Sequence, residues 1–379
     1  MRGFSSAIPM QNEFFPLEIL ITENAYRISI NDFNRTATDT VLLNFTKNVL
    51  EIFQQIERTI NKNKQLHLSI EECDAYLLDI AKWGRRAYKE FFQEDAQKAT
   101  FQYSQYGDIA PIFVSKLLPF PWEVLYEGEL KKVDTESFWG FRYPIARNLA
   151  PSKKPALEQI LPLDMLFCLH HKLLHAHHQE RPAIEKLVKT FGTFNLLQSQ
   201  QKLKDGSEFI EHLYQATHNI LHFACHCRPC KSYEDNIDAL IFSLIEDEIS
   251  TQEIELEAYN FSDVDGSFQY QPLIFLNACQ SAGGVDELRK TFNLPEKFIQ
   301  HGAAAVIATA CPVPDLFAAA FAKKFYEFFI GEKMVIGKAL CNTRKYFLKE
   351  YNNPLGLAYG LYSSPYYKIA QTPARVGFN

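Results

Sequence analysis

Long apolar runs are scarce in this 379-residue chain. The first sixteen residues contain no continuous apolar stretch, so no secretory signal is expected there. The most apolar later segment, 303–322, is broken by Pro312, Pro314 and Asp315, which excludes one membrane-crossing helix over it. An excess of basic charge is also missing. Lys and Arg total 39 against 45 Asp and Glu, a net charge of −6, and a nucleic-acid-binding surface usually asks for the opposite balance. There is no repeat at solenoid period, no low-complexity block and no G-x-x-x-x-G-K-[ST] phosphate loop. No sensor module of helical-repeat or nucleotide-binding type is therefore expected. Eight cysteines in a chain without a visible signal are expected to be reduced thiols in a cytoplasmic protein.

What is present describes a folded globular protein: 47% hydrophobic and 22% charged residues. Strand-like runs at 17–22 and 26–31 flank Glu23-Asn24 and predict a hairpin. Helices are expected over 38–61 and 69–92, followed by an aromatic, proline-bearing connection over 101–151. The segment 150–162, rich in Pro, Lys and Ser, marks the expected boundary between an N-terminal α+β subdomain (1–155) and a second unit (156–379). That second unit alternates strands (163–169, 194–197, 219–224, 272–277, 303–308) with helices (180–190, 207–216, 295–300, 315–330, 335–350). Apolar strands alternating with helices predict an α/β fold, a mostly parallel sheet covered on both faces.

In such sheets reactive groups gather beyond the carboxyl ends of strands. Two expected strands end in chemically capable residues, one in His222-Phe223-Ala224-Cys225-His226-Cys227, the other in Leu276-Asn277-Ala278-Cys279-Gln280-Ser281. If those strands are neighbours, His226 and Cys279 approach one another. An imidazole beside a thiol favours the thiolate, and its imidazolium can protonate a leaving amine. The bland reading is a small buried hydrophobe for Cys279 and a packed residue for His222. Zinc is a rival for the dense group His222, Cys225, His226, Cys227 and Cys230, and His170, His171, His175, His177 and His178 make a second such group. However, C-x-C-x2-C lacks a second Cys pair, and successive strand residues point to opposite faces. No metal or cofactor is expected. A nucleophile-elbow amidase is disfavoured because Asn277 and Ser281 stand where that elbow has glycines.

The motifs His222-Phe223-Ala224-Cys225-His226 and Leu276-Asn277-Ala278-Cys279-Gln280-Ser281 resemble the paired motifs of CHAT-domain cysteine peptidases of prokaryotic type, relatives of caspases, metacaspases and separase. Gly302 to Ile307 with Pro312-Val313-Pro314-Asp315, and Tyr359 to Tyr362 with Pro365, extend the likeness. Upstream, Pro121-Trp122-Glu123-Val124-Leu125-Tyr126 and Phe141 to Arg147 resemble the section that often precedes the peptidase core. The resemblance implies a caspase-like fold over 156–379 and a Cys-His dyad of Cys279 and His226. It also implies an oxyanion hole made by the backbone N–H groups of Cys279 and Cys227. Cys227 departs from the glycine usual at that position.

By the same resemblance the substrate is a protein bound as an extended strand. The primary pocket draws on Asn277 and on His170 and His171, and the acidic loop ending at Asp238 can add a carboxylate. Asn277 is uncharged where arginine-cutting relatives carry aspartate. The implied activity is a regulated cysteine endopeptidase in bacterial defence or cell death, for example activating a gasdermin-like pore former. A separate sensor or activator protein is expected, with neither nucleic acid nor membrane bound directly. The alternatives are a catalytically silent caspase-like scaffold or a zinc-stabilised Cys/His module.

Overall fold

The computed structural model describes residues 14–21, 27–32, 35–40, 65–92, 108–114, 120–148, 158–198, 201–229, 238–246, 249–278 and 293–370, with a few isolated positions between them. Its strands are β1 (Phe15–Ile21), β2 (Arg27–Asp32), β3 (Arg35–Thr40), β4 (Ile109–Val114), β5 (Ala146–Asn148), β6 (Glu158–Ile160), β7 (Leu163–Leu169), β8 (Gly192–Leu196), β9 (Ile220–Pro229), β10 (Asp238–Glu246), β11 (Ile249–Glu257), β12 (Leu273–Ala278), β13 (Ala305–Thr309), β14 (Tyr359–Tyr362) and β15 (Lys368–Ala370). The main helices are α1 (Ile70–Phe91), α2 (Arg181–Val188), α3 (Gly206–Gln215), α4 (Asn293–Gln300), α5 (Asp315–Tyr326) and α6 (Ile336–Tyr351).

One large sheet runs in the order β11-β10-β7-β9-β12-β13-β14-β5-β4-β1-β2-β3, with β8 also paired to β7. Its centre is parallel: β7 with β9, β9 with β12 and β12 with β13. Strand alternation divides the central side chains between two hydrophobic clusters. Leu163, Met165, Phe167, Ile220, Ala224, Leu273 and Phe275 enter one, with Ile184 of α2 and Phe317 and Phe321 of α5. Leu166, Cys168, Leu221, Phe223, Cys225, Cys227, Ile274 and Leu276 enter the other, with Phe209 of α3 and Phe298 of α4. Helices thus cover both faces, as near-continuous apolar strands require. This is the expected mostly parallel α/β architecture.

The N-terminal strands extend this sheet. β14 pairs in parallel with β5, β5 with β4 and β4 with β1. The antiparallel β1–β2 pair is the expected hairpin, with its turn outside the described residues. Ser69 caps α1 in a capping box with Glu72, which fixes the helix start within a residue of expectation. The motifs 121–126 and 141–147 meet in a buried ion cluster. Glu123 accepts from Arg147 Nη1 at 2.8 Å and from Arg344 Nη2 at 3.2 Å. Arg344 also donates to the Tyr359 carbonyl at 2.7 Å, so the cluster ties β5 to α6 and β14. The expected boundary falls in 149–157, outside the described residues, while sheet and first cluster continue on both sides of it.

Two expectations need correction. The helix expected from 38 cannot begin there, because Thr38 to Thr40 belong to β3 and pair with Arg27 to Ser29; most of the remainder lies outside the described residues. The stretch after Asp238 is an antiparallel hairpin, β10–β11, where no strands were expected.

Candidate active site at the carboxyl tips of β7, β9 and β12

The register across the centre is Phe167–His222–Phe275, then Ala224 opposite Leu169 and Asn277, then Cys225 opposite Ala278. β7 stops at Leu169, whereas β9 runs on to Pro229, and β10 replaces β7 along the outer half of β9 by pairing Ile241 with His226 and Leu240 with Cys227. His226 is therefore held by a strand pairing just past the end of β7. It is partly exposed, and its face alternates with the buried Cys225 and Cys227. Cys279 follows Ala278 in the chain and lies outside the described residues, as does Cys230.

Beside His226 stand the two expected pocket residues. The His170 ring meets the His226 ring edge to face, with centroids 4.3 Å apart, and stacks on His171 at 4.7 Å. His170 N–H donates to the Ala224 carbonyl at 2.8 Å, anchoring the chain as it leaves β7. The Lys172 N–H donates to His170 Nδ1 at 3.2 Å, which assigns the ring proton of the neutral form to Nε2. That nitrogen faces Glu253 Oε1 at 3.3 Å. Glu253 of β11 arrives here because Ser243 of β10 is paired with it on one side and with Leu169 on the other. His171 Nδ1 lies 2.9 Å from Ser243 Oγ and 3.8 Å from Glu253 Oε1.

Beneath the tips lies a second polar group, fully enclosed. The His222 ring is sandwiched between Phe167 and Phe275, at centroid distances of 4.5 and 5.2 Å. Its Nε2 lies 2.8 Å from Glu180 Oε1 and its Nδ1 3.1 Å from Tyr326 Oη. Burial, and then the Glu180 charge, push the Tyr326 phenol well above its ordinary pKa, so it stays protonated and can donate to His222. Asn277 Nδ2 donates to the same Glu180 Oε1 at 2.6 Å and to the Ala318 carbonyl at 3.0 Å, and Asn277 Oδ1 accepts from Tyr359 at 2.8 Å. Asn277, expected in the primary pocket, is only 1% exposed. Both its donors and its acceptor are engaged below the sheet tip.

Among the remaining expected residues, Asp238 is the first residue of β10, paired with Pro229, and its side chain lies outside the described residues. Cys227 needs no glycine-like backbone: the non-glycine residues with positive φ are Lys202, Gln271, Lys333 and Asn352 among the described residues. The mixed Cys/His metal grouping does not assemble around His222. That ring lies among Phe167, Phe275 and Tyr326, while Cys225 and Cys227 pack in the cluster on the other face. Sequence reasoning missed Glu180, Glu253, Tyr326 and Tyr359. Their partners lie far off in the chain, and only the tertiary fold brings them together.

The model of the CHAT domain matches residues 83–367, well over half of the chain. The chain belongs to the CHAT domain family. The match takes in every expected site residue and begins inside α1. CHAT membership agrees with the caspase-like fold class that the sheet displays. Two solved structures align loosely. The separase–securin complex of Saccharomyces cerevisiae aligns at 12% identity and a TM-score of 0.42, over 84% of this chain and 22% of that one. The Arg-specific cysteine proteinase gingipain R aligns at 9% and 0.45, over 94% and 78%. The chain thus spans under a quarter of the separase chain's length. No curated protein matches it. Among the described residues no helix is long and apolar enough to cross a membrane.

Proposed function

We propose that this CHAT-domain chain is a cysteine endopeptidase whose nucleophile is Cys279 and whose acid–base group is His226. One observation carries the reading. In the parallel β9–β12 pair, Leu273, Phe275 and Asn277 stand opposite Ile220, His222 and Ala224, and Leu273, Phe275, Ile220 and Ala224 share one cluster. Continued by one residue in the same register and parity, that pairing would set Cys279 opposite His226 on the same face. Neighbouring strands are about 4.8 Å apart, so such a continuation would bring thiol and imidazole within reach.

The chemistry follows from those two groups. The Cys279 thiolate attacks the carbonyl carbon of a bound peptide. The negative oxygen is met by the backbone N–H groups of Cys279 and Cys227. As the C–N bond breaks, the imidazolium of His226 gives its proton to the leaving amine, and a thioester remains. Water then attacks the thioester, passing a proton to His226, and the acid product and the thiolate are released. His170 and His171 form the wall on the β7 side and are the substrate-contacting candidates. Asn277 contributes by holding the tip of β12 from below, since its amide is fully bonded.

The substrate is a protein partner presenting an extended segment, and a separate activator governs access. A gasdermin-like pore former in a defence or cell-death response suits a regulated endopeptidase of this family. The test is incubation of the parent and Cys279→Ala chains with candidate partner proteins, reading new termini by mass spectrometry. Site-specific cleavage by the parent alone supports the reading. Equal cleavage by a folded Cys279→Ala chain removes it.

A further inference from the structure

We propose that His170, His171 and Glu253 form a binding site for a divalent transition metal of the zinc class, set against His226. The three residues offer ligand atoms that all lie within 4.8 Å of one another. His170 Nε2 and Glu253 Oε1 are 3.3 Å apart, and His171 Nδ1 and Glu253 Oε1 are 3.8 Å apart. Ligand atoms about 2.0–2.1 Å from a common tetrahedral centre stand roughly 3.3–3.4 Å from one another, so modest contraction completes the triangle. Two imidazoles and one carboxylate are a donor set that zinc accepts while keeping a fourth position open. Calcium and magnesium want more oxygen ligands than this set supplies.

The fold presents these residues for reasons independent of any ion. His170 is fixed by its own N–H on the Ala224 carbonyl, and Ser243 Oγ accepts from the His171 N–H at 3.1 Å. Glu253 is carried in by its β10 pairing. The site is thus built on the end of β7 and the middle of β11, with Glu253 open enough for an ion to enter. It is not the Cys/His grouping around His222, and it uses no thiol.

The hydrogen bonding sets a cost on binding. His170 Nδ1 accepts from Lys172 N–H, which leaves the proton on Nε2, the nitrogen that faces Glu253. Metal binding must remove that proton and, if it moves to Nδ1, give up the Lys172 contact. His171 Nδ1 likewise trades its Ser243 partner. Those exchanges lower the affinity relative to a site held ready for the ion. The His170 ring touches the His226 ring, so an ion on His170 restrains the wall against which His226 works. Such an ion should lower turnover, an effect that rests on the peptidase reading, whereas the binding does not.

The experiment is titration of the metal-free full chain with Co2+ and Zn2+, followed by calorimetry and, for Co2+, by visible absorption. The expected result is one ion per chain, no sulfur-to-cobalt charge-transfer bands, and no comparable binding of Ca2+ or Mg2+. Glu253→Gln, a partly exposed position, should weaken binding at least tenfold while leaving the fold unchanged by circular dichroism, and His171→Ala should do the same. Charge-transfer bands from thiolate, affinity unchanged in both variants, or no binding at millimolar metal would each overturn the site. If the chain shows no peptidase activity, the binding titration still decides the question.

Discussion

Removing the Glu180 carboxylate should destabilise the chain more than any other single change beneath the active-site tips. Glu180 is 1% exposed and accepts from both His222 Nε2 and Asn277 Nδ2. Glu180→Ala leaves two enclosed donors without an acceptor, and each such loss costs about 1–3 kcal/mol. The expected total is about 2–6 kcal/mol. With an unfolding entropy of about 2.1 cal/mol/K per residue, a chain of 379 residues loses roughly 3–7 °C in Tm for that change. Glu180→Gln keeps an oxygen that can accept both bonds and should cost less than half as much. Differential scanning calorimetry of the three proteins reads the effect. A double-mutant cycle with His222→Phe should show a coupling of about 0.5–3 kcal/mol. A Glu180→Ala protein melting within 1 °C of the parent, by the roughly 0.8 kcal/mol/K this estimate implies, would refute the enclosed network.

Other outcomes are also expected. Glu123→Ala strands the buried guanidiniums of Arg147 and Arg344 without their shared carboxylate, so it should cost about 3–5 kcal/mol and exceed Arg344→Met in urea unfolding. Cys225→Ser buries a hydroxyl in the second cluster and should cost about 1–3 kcal/mol, while leaving the metal content of the purified chain unchanged. The chain alone should cleave slowly and be accelerated by a partner. Raising a competent state from about 1% to 99% needs roughly 5.5 kcal/mol of differential binding, and full-rate cleavage without a partner would contradict that.

Much of this was legible in sequence because the core strands are apolar and β-rich. The run 163–169 is β7 to the residue, and the helix expected over 207–216 is α3 displaced by one. The strand ends expected to carry His226 and Cys279 stood out because parallel sheets concentrate chemistry at carboxyl ends, but β9 runs on through His226 to Pro229, and Cys279 lies outside the described residues. Other features were not legible. β10 carries a continuous apolar run next to an acidic stretch, and nothing local says that it replaces β7 beside β9. The Glu180–His222 and Glu253–His170 pairs join residues 42 and 83 positions apart, with no periodic signal to announce them. Asn277 was placed in the pocket by its position before Cys279. It shares the face of that position, but its amide is taken up lower on the strand by Glu180, Ala318 and Tyr359.

The dyad itself is most directly tested by the alkylation rate of Cys279 against pH. The six cysteines of the described residues, Cys73, Cys168, Cys225, Cys227, Cys311 and Cys341, are all buried, so they serve as slow internal controls. A free thiol has a pKa of about 8.5 and is only about 1% thiolate near pH 6.5. Native chain treated briefly with iodoacetamide at that pH, then digested and read by mass spectrometry, should carry label on Cys279 above all. The His226→Ala chain should lose that labelling at pH 6.5 and regain it above pH 8.5. Cys279 labelling that rises only near pH 8.5 in the parent, and is unaffected by His226→Ala, would show that no thiolate–imidazole pair exists at these strand tips.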